Sequence, residues 1–452
     1  MTNIQKQLKK MGGWRLGFLS QSESHSIDAL VVEGKLPEWL HGAFISTGPA
    51  VFESGGQHVD HWFQGLGMLK GFYFDSGQVG FRNKMLQSDT YKHQIFGEPE
   101  PPEYDDGNVT VFPFGDKGSA MTESLVDCSF DPKSLETIGH IAYQGELDVH
   151  LTLAHLVVDP VSKHYVNVGI QFGPTTHYFI YTIDTASCKQ DVIAVYESSL
   201  PFYMHSFSVT NRYIVLFQSP LIFDIEALMS GGGFTEMLKK AKGAPTQFVL
   251  IDRESGESTA ILHEESMCFH QVNAIENGDT IVLDCCDVDR IDGYADGLFE
   301  LLCDPDYQVI PAHLKRHTIG LRSNSVSTVQ LTAAALEFPR INDAYAALDY
   351  RYVYAALTEG THNFFDGLVK VDVEQQKDIK YYRDDCYFGE PIFVAHPDAS
   401  TEDDGVILSL AFDAVRNQSL LVVLDAQSFT ELAHAYAPIP IPFGLHGHWF
   451  AA

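Results

Sequence analysis

LKGFYFDSGQVGFRNK, residues 69–84, carries the strand signal of this chain most plainly. Two runs rich in aromatic and branched side chains, 69–74 and 79–84, flank the turn formers Asp75-Ser76-Gly77. Such runs pack well on a pleated surface, and turn residues at their ends mark where pairing stops. The same pattern recurs at 43–47, 109–114, 165–171, 177–183, 192–196, 213–218, 247–251, 280–284, 326–331, 352–356, 368–373, 406–412 and 420–424. Asn277-Gly278-Asp279 punctuates it again before residue 280. Helical periodicity is scarce. Its best candidate, 225–240, is interrupted by Gly231-Gly232-Gly233 and has Lys239 and Lys240 near its end. Many short strands without strand–helix alternation predict an all-β fold, for which a propeller, a barrel or a large sandwich would each serve. No Pro/Gly/Ser linker or charged tail divides residues 1–452, which read as a single domain, and no WD40- or kelch-type repeat is visible.

Composition narrows the function classes. Hydrophobic residues make up 45% of the 452, enough for a large core, and global disorder is excluded. No apolar run approaches the roughly 20 residues of a membrane span. The N-terminus lacks the apolar stretch and cleavage site of a secretory signal. Against 60 Asp and Glu stand only 29 Lys and Arg, a net charge of −31. That balance argues against nucleic acid and against electrostatic attachment to anionic lipid. Seven Cys without paired CxxC spacing, two of them adjacent at Cys285-Cys286 in an apolar run, predict a reducing, cytoplasmic setting.

Of 20 His, four sit at the edges of apolar strand-like runs: His155, His205, His270 and His446. Neutral imidazole suits Zn, Cu, Fe or Ni, whereas any one such histidine is ordinarily a hydrogen-bonded core residue. Two carboxylates in similar apolar settings, Glu337 and Glu390, fill the long gap before His446. The series 155, 205, 270, 337, 390, 446 has steps of 50, 65, 67, 53 and 56 residues. Seven blades in this chain would use about 65 residues each, so the series matches polar residues lining a propeller axis. Ligands that far apart would need a preformed scaffold, unlike the local ligand pairs of a zinc finger. Glu337 and Glu390 would then hold ligating imidazoles from behind; the alternative for each is a strand-end ion pair. A second cluster, His58-Val59-Asp60-His61-Trp62, reads as a loop-ordering element rather than a metal site. No nucleophile elbow or phosphate-binding loop is present.

At these residues the chain resembles the carotenoid cleavage oxygenase family along nearly its whole length. Gly48-Pro49 followed by His61-Trp62-Phe63-Gln64-Gly65 and Met68-Leu69 is similar to the family's Asn-Gly-Pro and His-Trp-Phe-Asp-Gly signature. Met121-Thr122-Glu123, Leu153-Ala154-His155 and Phe269-His270 follow in order. The most specific block is Gly389-Glu390-Pro391-Ile392-Phe393-Val394, then Glu402-Asp403-Asp404-Gly405 and Pro442-Phe443-Gly444-Leu445-His446-Gly447. Residues 83–91 and 244–253 resemble the animal branch, which includes β-carotene oxygenases and retinoid isomerases. Gln64, Ser46 and Leu156 depart from the usual Asp, Arg and Pro, changes expected to alter loop packing rather than metal binding. A cysteine-bearing loop of the animal branch is missing after Glu98-Pro99-Glu100-Pro101-Pro102, which speaks against retinoid isomerisation and against a lipid-modified membrane loop.

The resemblance implies a seven-bladed β-propeller capped by loops and short helices. It implies Fe(II) held by His155, His205, His270 and His446, with Glu123, Glu337 and Glu390 behind them and Thr122 near the vacant position of the ion. The implied reaction is O2-dependent cleavage of a conjugated C=C bond of a carotenoid or apocarotenoid to aldehydes, retinal-like in kind. The alternatives are a stilbenoid-cleaving dioxygenase and a propeller that binds a polyene or retinoid without cleaving it. The 30 Phe and 20 Tyr are numerous enough to line an apolar tunnel. Residues 221–223 with the adjoining 225–240 segment are the candidate for peripheral membrane docking; internal packing is the alternative.

Overall fold

The computed structural model describes residues 1–54, 57–231, 234–288, 298–359 and 364–452. Its sheets form the seven blades of a propeller. The first blade holds Gly42–Ser46, Leu66–Asp75 and Gln78–Met85, with the C-terminal strand Gly447–Ala451. The second runs through Thr110–Phe114, Lys117–Met121, Cys128–Phe130 and Thr137–His140. The third contains Leu151–Thr152, Val157–Val158, Tyr165–Gln171, Thr176–Asp184 and Lys189–Ser198. The fourth contains Ser208–Val209, Tyr213–Gln218, Thr246–Asp252 and Ser258–His263. Met267–Asn277, Thr280–Val288 and His313–Gly320 make the fifth with Ser325–Arg340, a 16-residue strand that also leads the sixth. Tyr352–Thr358, Gly367–Asp372 and Lys377–Tyr382 complete the sixth. The seventh joins Cys386–Phe388, Ile392–Ala395, Gly405–Asp413, Gln418–Asp425 and Glu431–Tyr436, with Val32–Gly34 at its edge.

Local chemistry sets the hairpins. In the first blade Phe72 faces Phe81 and Asp75 faces Gln78 across a two-residue loop. Ser76 and Gly77 both have positive φ, 49° and 76°, the turn whose twist suits a hairpin. Between blades the apolar faces interdigitate. Phe72, Phe74 and Phe81 of the first blade pack with Val406, Leu408 and Leu421 of the seventh. Val215 and Leu250 of the fourth pack with Leu283 and Ile319 of the fifth.

The ring closes where Gly42–Ser46 pairs antiparallel with Gly447–Ala451, in register Gly42 to Ala451 and Ser46 to Gly447. A Cβ on Gly447 would come 2.7 Å from the Phe44 ring and 2.9 Å from the Ile45 carbonyl, so the seam requires glycine there. This closure anchors the residue just before it, His446. An aromatic cluster belongs to the cap: Phe18 meets Trp62, Phe364 and Phe443 at ring distances of 5.4, 5.2 and 5.2 Å.

The 225–240 expectation needs correction. The segment is Ile225–Met229, Phe234–Met237 and the strand Leu238–Lys240. Asp224 caps the first helix, and Gly231 at φ 74° stands after it; Gly232 and Gly233 lie outside the described residues. Leu238–Lys240 pairs with Leu221–Phe223, whose side chains are 2%, 8% and 3% exposed. Residues 221–223 are therefore core, not a docking patch. Among the described residues no helix is long and apolar enough to cross a membrane.

Candidate metal centre

No histidine of interest sits in regular strand pairing: three lie beside a strand and His270 lies at a bulge. His155 lies between Leu151–Thr152 and Val157–Val158, and His205 precedes Ser208–Val209. His270 sits within Met267–Asn277 where the pairing shifts register on either side of Gln271. Bulges re-aim side chains that a regular pleat would send elsewhere. The four imidazoles meet, with one ring nitrogen of each lying within 4.8 Å of the others. His155 Nε2 is 2.9 Å from His205 Nε2, and His270 Nε2 is 3.2 Å from His446 Nε2.

The opposite nitrogens are tied to carboxylates. His205 Nδ1 is 2.7 Å from Glu123 Oε1, His270 Nδ1 is 2.5 Å from Glu337 Oε2, and His446 Nδ1 is 2.8 Å from Glu390 Oε1. The direction of these bonds follows from their neighbours. Glu337 Oε2 also accepts the Phe338 N–H at 2.6 Å, and Glu390 Oε1 accepts the Arg340 Nε–H at 2.7 Å. Both oxygens are acceptors, so the imidazole Nδ1 atoms donate and the Nε2 atoms present lone pairs. Two lone pairs facing each other at about 3 Å repel unless a cation lies among them. The donor set therefore fits a metal ion bound by neutral imidazoles. Burial and the neighbouring imidazoles hold His155 well below the ordinary histidine range. Burial pushes His446 down to about 4 against the pull of Glu390.

Glu337 and Arg340 share one device. The pairing of Ser325–Arg340 with Tyr352–Thr358 shifts register between these two residues, and Phe338 has φ 53°. The bulge sends Glu337 to His270 and Arg340 to Glu390.

The imidazoles stand between two cavities. One, of about 730 Å³, is lined largely by apolar groups, including Phe63, Tyr203, Phe234, Phe269, Phe338 and Phe365, with Thr122, Glu123, His205, His270 and His446 also in its wall. The other, of about 620 Å³, is more polar, with Gln271, Asn273, Arg340, Glu390 and His448 beside His155, His270 and His446. Thus the structure brings together all four predicted histidines and three predicted glutamates, and places Thr122 in the apolar wall. Sequence reading missed Tyr203, whose hydroxyl donates to Glu123 Oε1 at 3.0 Å, and Arg340. A lone arginine closing an apolar run, three residues after Glu337, was the available signal for the second.

The 58–61 cluster is what its loop-ordering reading implies. His61 caps the turn Trp62–Gln64, accepting from the Phe63 N–H, and Gln64 Oε1 accepts from the His61 N–H at 2.9 Å. The departure at Gln64 thus completes a capping box in the apolar wall. Ser46 sits in the closing seam opposite Gly447.

The retinal pigment epithelial membrane protein family model matches residues 18–451. The β,β-carotene 15,15′-dioxygenase of Gallus gallus is 28% identical over 92% of this chain and 94% of its own. The mitochondrial carotenoid-cleaving dioxygenase of Mustela putorius furo is 28% identical over 94% of each. Among solved structures, cobalt-substituted Synechocystis ACO is 25% identical with a TM-score of 0.86, covering 97% of this chain and 98% of that one. The chain belongs to the retinal pigment epithelial membrane protein family, the carotenoid oxygenases.

Proposed function

We propose that this protein is an Fe(II)-dependent dioxygenase that cleaves one conjugated C=C bond of a carotenoid or apocarotenoid with O2, giving aldehydes. The observation that carries this reading is the convergence of four imidazole Nε2 atoms, three of them on rings backed by Nδ1–carboxylate hydrogen bonds, at the wall of an apolar cavity. His155, His205, His270 and His446 would hold the ion; four neutral ligands leave it its charge and room for O2. Ferrous iron held there would supply O2 activation. The remaining work belongs to the chain. Glu123, Glu337 and Glu390 fix imidazole tautomer and orientation. Phe63, Phe234 and Phe269 offer flat apolar walls to a rigid polyene and exclude water. Thr122 stands in the same wall beside Glu123. Residues 1–452 act as one unit, because the ligands come from blades along most of the chain.

The seven cysteines are all free, which supports a cytoplasmic setting. Peripheral membrane contact is supported by Phe96 and Met229, 64% and 77% exposed, which adjoin the cavity-lining Gln94 and Leu228. Flotation with neutral liposomes tests it: Phe96→Asp together with Met229→Asp should abolish co-flotation, and unchanged flotation would refute the contact.

Product analysis with β-carotene, an apocarotenal and resveratrol tests the reaction. Oxygen-dependent aldehydes from a polyene are expected. Products from resveratrol alone would favour stilbenoid cleavage, and unaltered bound polyene would favour a binding protein.

A further inference from the structure

The three glutamates behind the histidines are not equivalent. Glu123 receives His205 and the Tyr203 hydroxyl, and Glu337 receives His270 and the Phe338 N–H. Glu390 alone among them takes a guanidinium: Arg340 Nε donates to Oε1 at 2.7 Å and Nη2 to Oε2 at 3.1 Å. The same Nη2 donates to the Gly447 carbonyl at 2.9 Å, while the Gly447 N–H donates to Glu390 Oε2 at 2.9 Å. We propose that Arg340 is a positioning residue that sets the charge of the four-histidine centre: through Glu390 it makes His446 a weaker donor than His205 and His270, and leaves a net charge that one divalent ion closes.

Two arguments support this. The first is the hydrogen bond. A carboxylate that accepts an N–H from a ligating imidazole raises its basicity, and one already engaged by a two-pronged guanidinium has less charge to lend. Glu390 Oε1 is shared between Arg340 Nε and His446 Nδ1, whereas Glu123 and Glu337 meet no guanidinium or ammonium among the described residues. The second is the charge sum. With the exposed Asp343 left to solvent, three acceptor carboxylates and one guanidinium around neutral imidazoles give −2, which a divalent ion cancels and a trivalent ion exceeds. A mismatch in so buried a set is costly, since Glu390 and His446 side chains are each 4% exposed. Arg340 itself is 24% exposed and lines the polar cavity, so water softens its field without cancelling it.

This inference rests on the proposed iron site, and its test does not depend on turnover. The Fe(III)/Fe(II) midpoint potential of iron-loaded protein is measured for the wild type, Arg340→Gln, Arg340→Lys and the pair Arg340→Met with Glu390→Gln. Removing the positive charge should favour the ferric form about tenfold, a fall of about 59 mV. Arg340→Lys should stay near the wild type, and the double variant, which keeps the charge sum, should recover most of the shift. An unchanged potential in folded, iron-loaded Arg340→Gln would overturn the proposal, as would an equal shift in Arg340→Lys. If Arg340→Gln does not fold, the other two variants decide: the double variant must fold, hold iron and keep a near-wild-type potential, and its failure beside an intact Arg340→Lys would refute charge balance. Wild type that holds no divalent metal refutes this inference and the iron reading together. Wild type that holds iron but cleaves no polyene refutes only the proposed function.

Discussion

The four imidazoles separate a pair of chambers of similar volume and different polarity. His205 faces only the apolar one, His155 only the polar one, and His270 and His446 face both. The polar chamber is built at the inner ends of blade strands, from Gln271 and Asn273 of Met267–Asn277 and Arg340 of Ser325–Arg340. The apolar chamber borrows its walls from cap segments such as Trp62–Gln64 and Phe234–Met237. The difference divides the tasks. Glu337 and Arg340, which help orient the imidazoles, belong to a blade strand, while Phe63 and Phe234, which would grip a substrate, sit on cap segments that can change without disturbing it.

The sharpest way to break this division is to remove an imidazole common to both chambers. His270→Ala should abolish metal binding and oxygen-dependent turnover, read by elemental analysis and product formation. Glu337→Gln, which leaves the imidazole but weakens its orientation, should lower metal affinity or activity by about 10–100-fold. The contrast between chambers sharpens with Phe234→Ala, which should raise KM for a polyene about tenfold with metal content unchanged, as expected for one lost aromatic contact to the bound chain. Asn211 lines the polar chamber, and Asn211→Ser should leave KM alone.

Acidity probes the two chambers together. Burial holds His61, in the apolar wall, down to about 3 and His446 down to about 4, both below the ordinary 6.5. At these two groups protons bind the unfolded chain more readily than the folded one between those values and 6.5, so their contribution to stability is full above 6.5 and declines as pH falls. Between pH 6.5 and pH 4 the melting temperature of metal-free His61→Phe should therefore fall less than that of the metal-free wild type. Leu421→Ala, in the seam between the first and seventh blades and far from the chemistry, should cost about 2–5 kcal/mol in denaturant titration and leave metal stoichiometry intact.

The inner strands were legible because burial on both faces concentrates branched and aromatic residues. Tyr165–Gln171 and Tyr213–Gln218 match the expected runs end to end. Some outer strands were not, because water makes no such demand: Lys377–Tyr382 is almost wholly exposed, whereas Lys189–Ser198 showed through its run 192–196. The histidines showed through their apolar flanks, and Glu123 only through the family motif. Arg340 escaped notice because its partner lies 50 residues away and its meaning is the pairing itself. Residues 221–223 misled for the opposite reason: an apolar run announces burial but not against what, and here the strand Leu238–Lys240 and the core take it.

Elemental analysis of anaerobically purified, ferrous-reconstituted protein tests the shared centre most directly. One iron per chain, lost in His270→Ala while the fold persists, is the expected result. Wild type that retains no iron after reconstitution would contradict the metal centre and return the four imidazoles to a structural role.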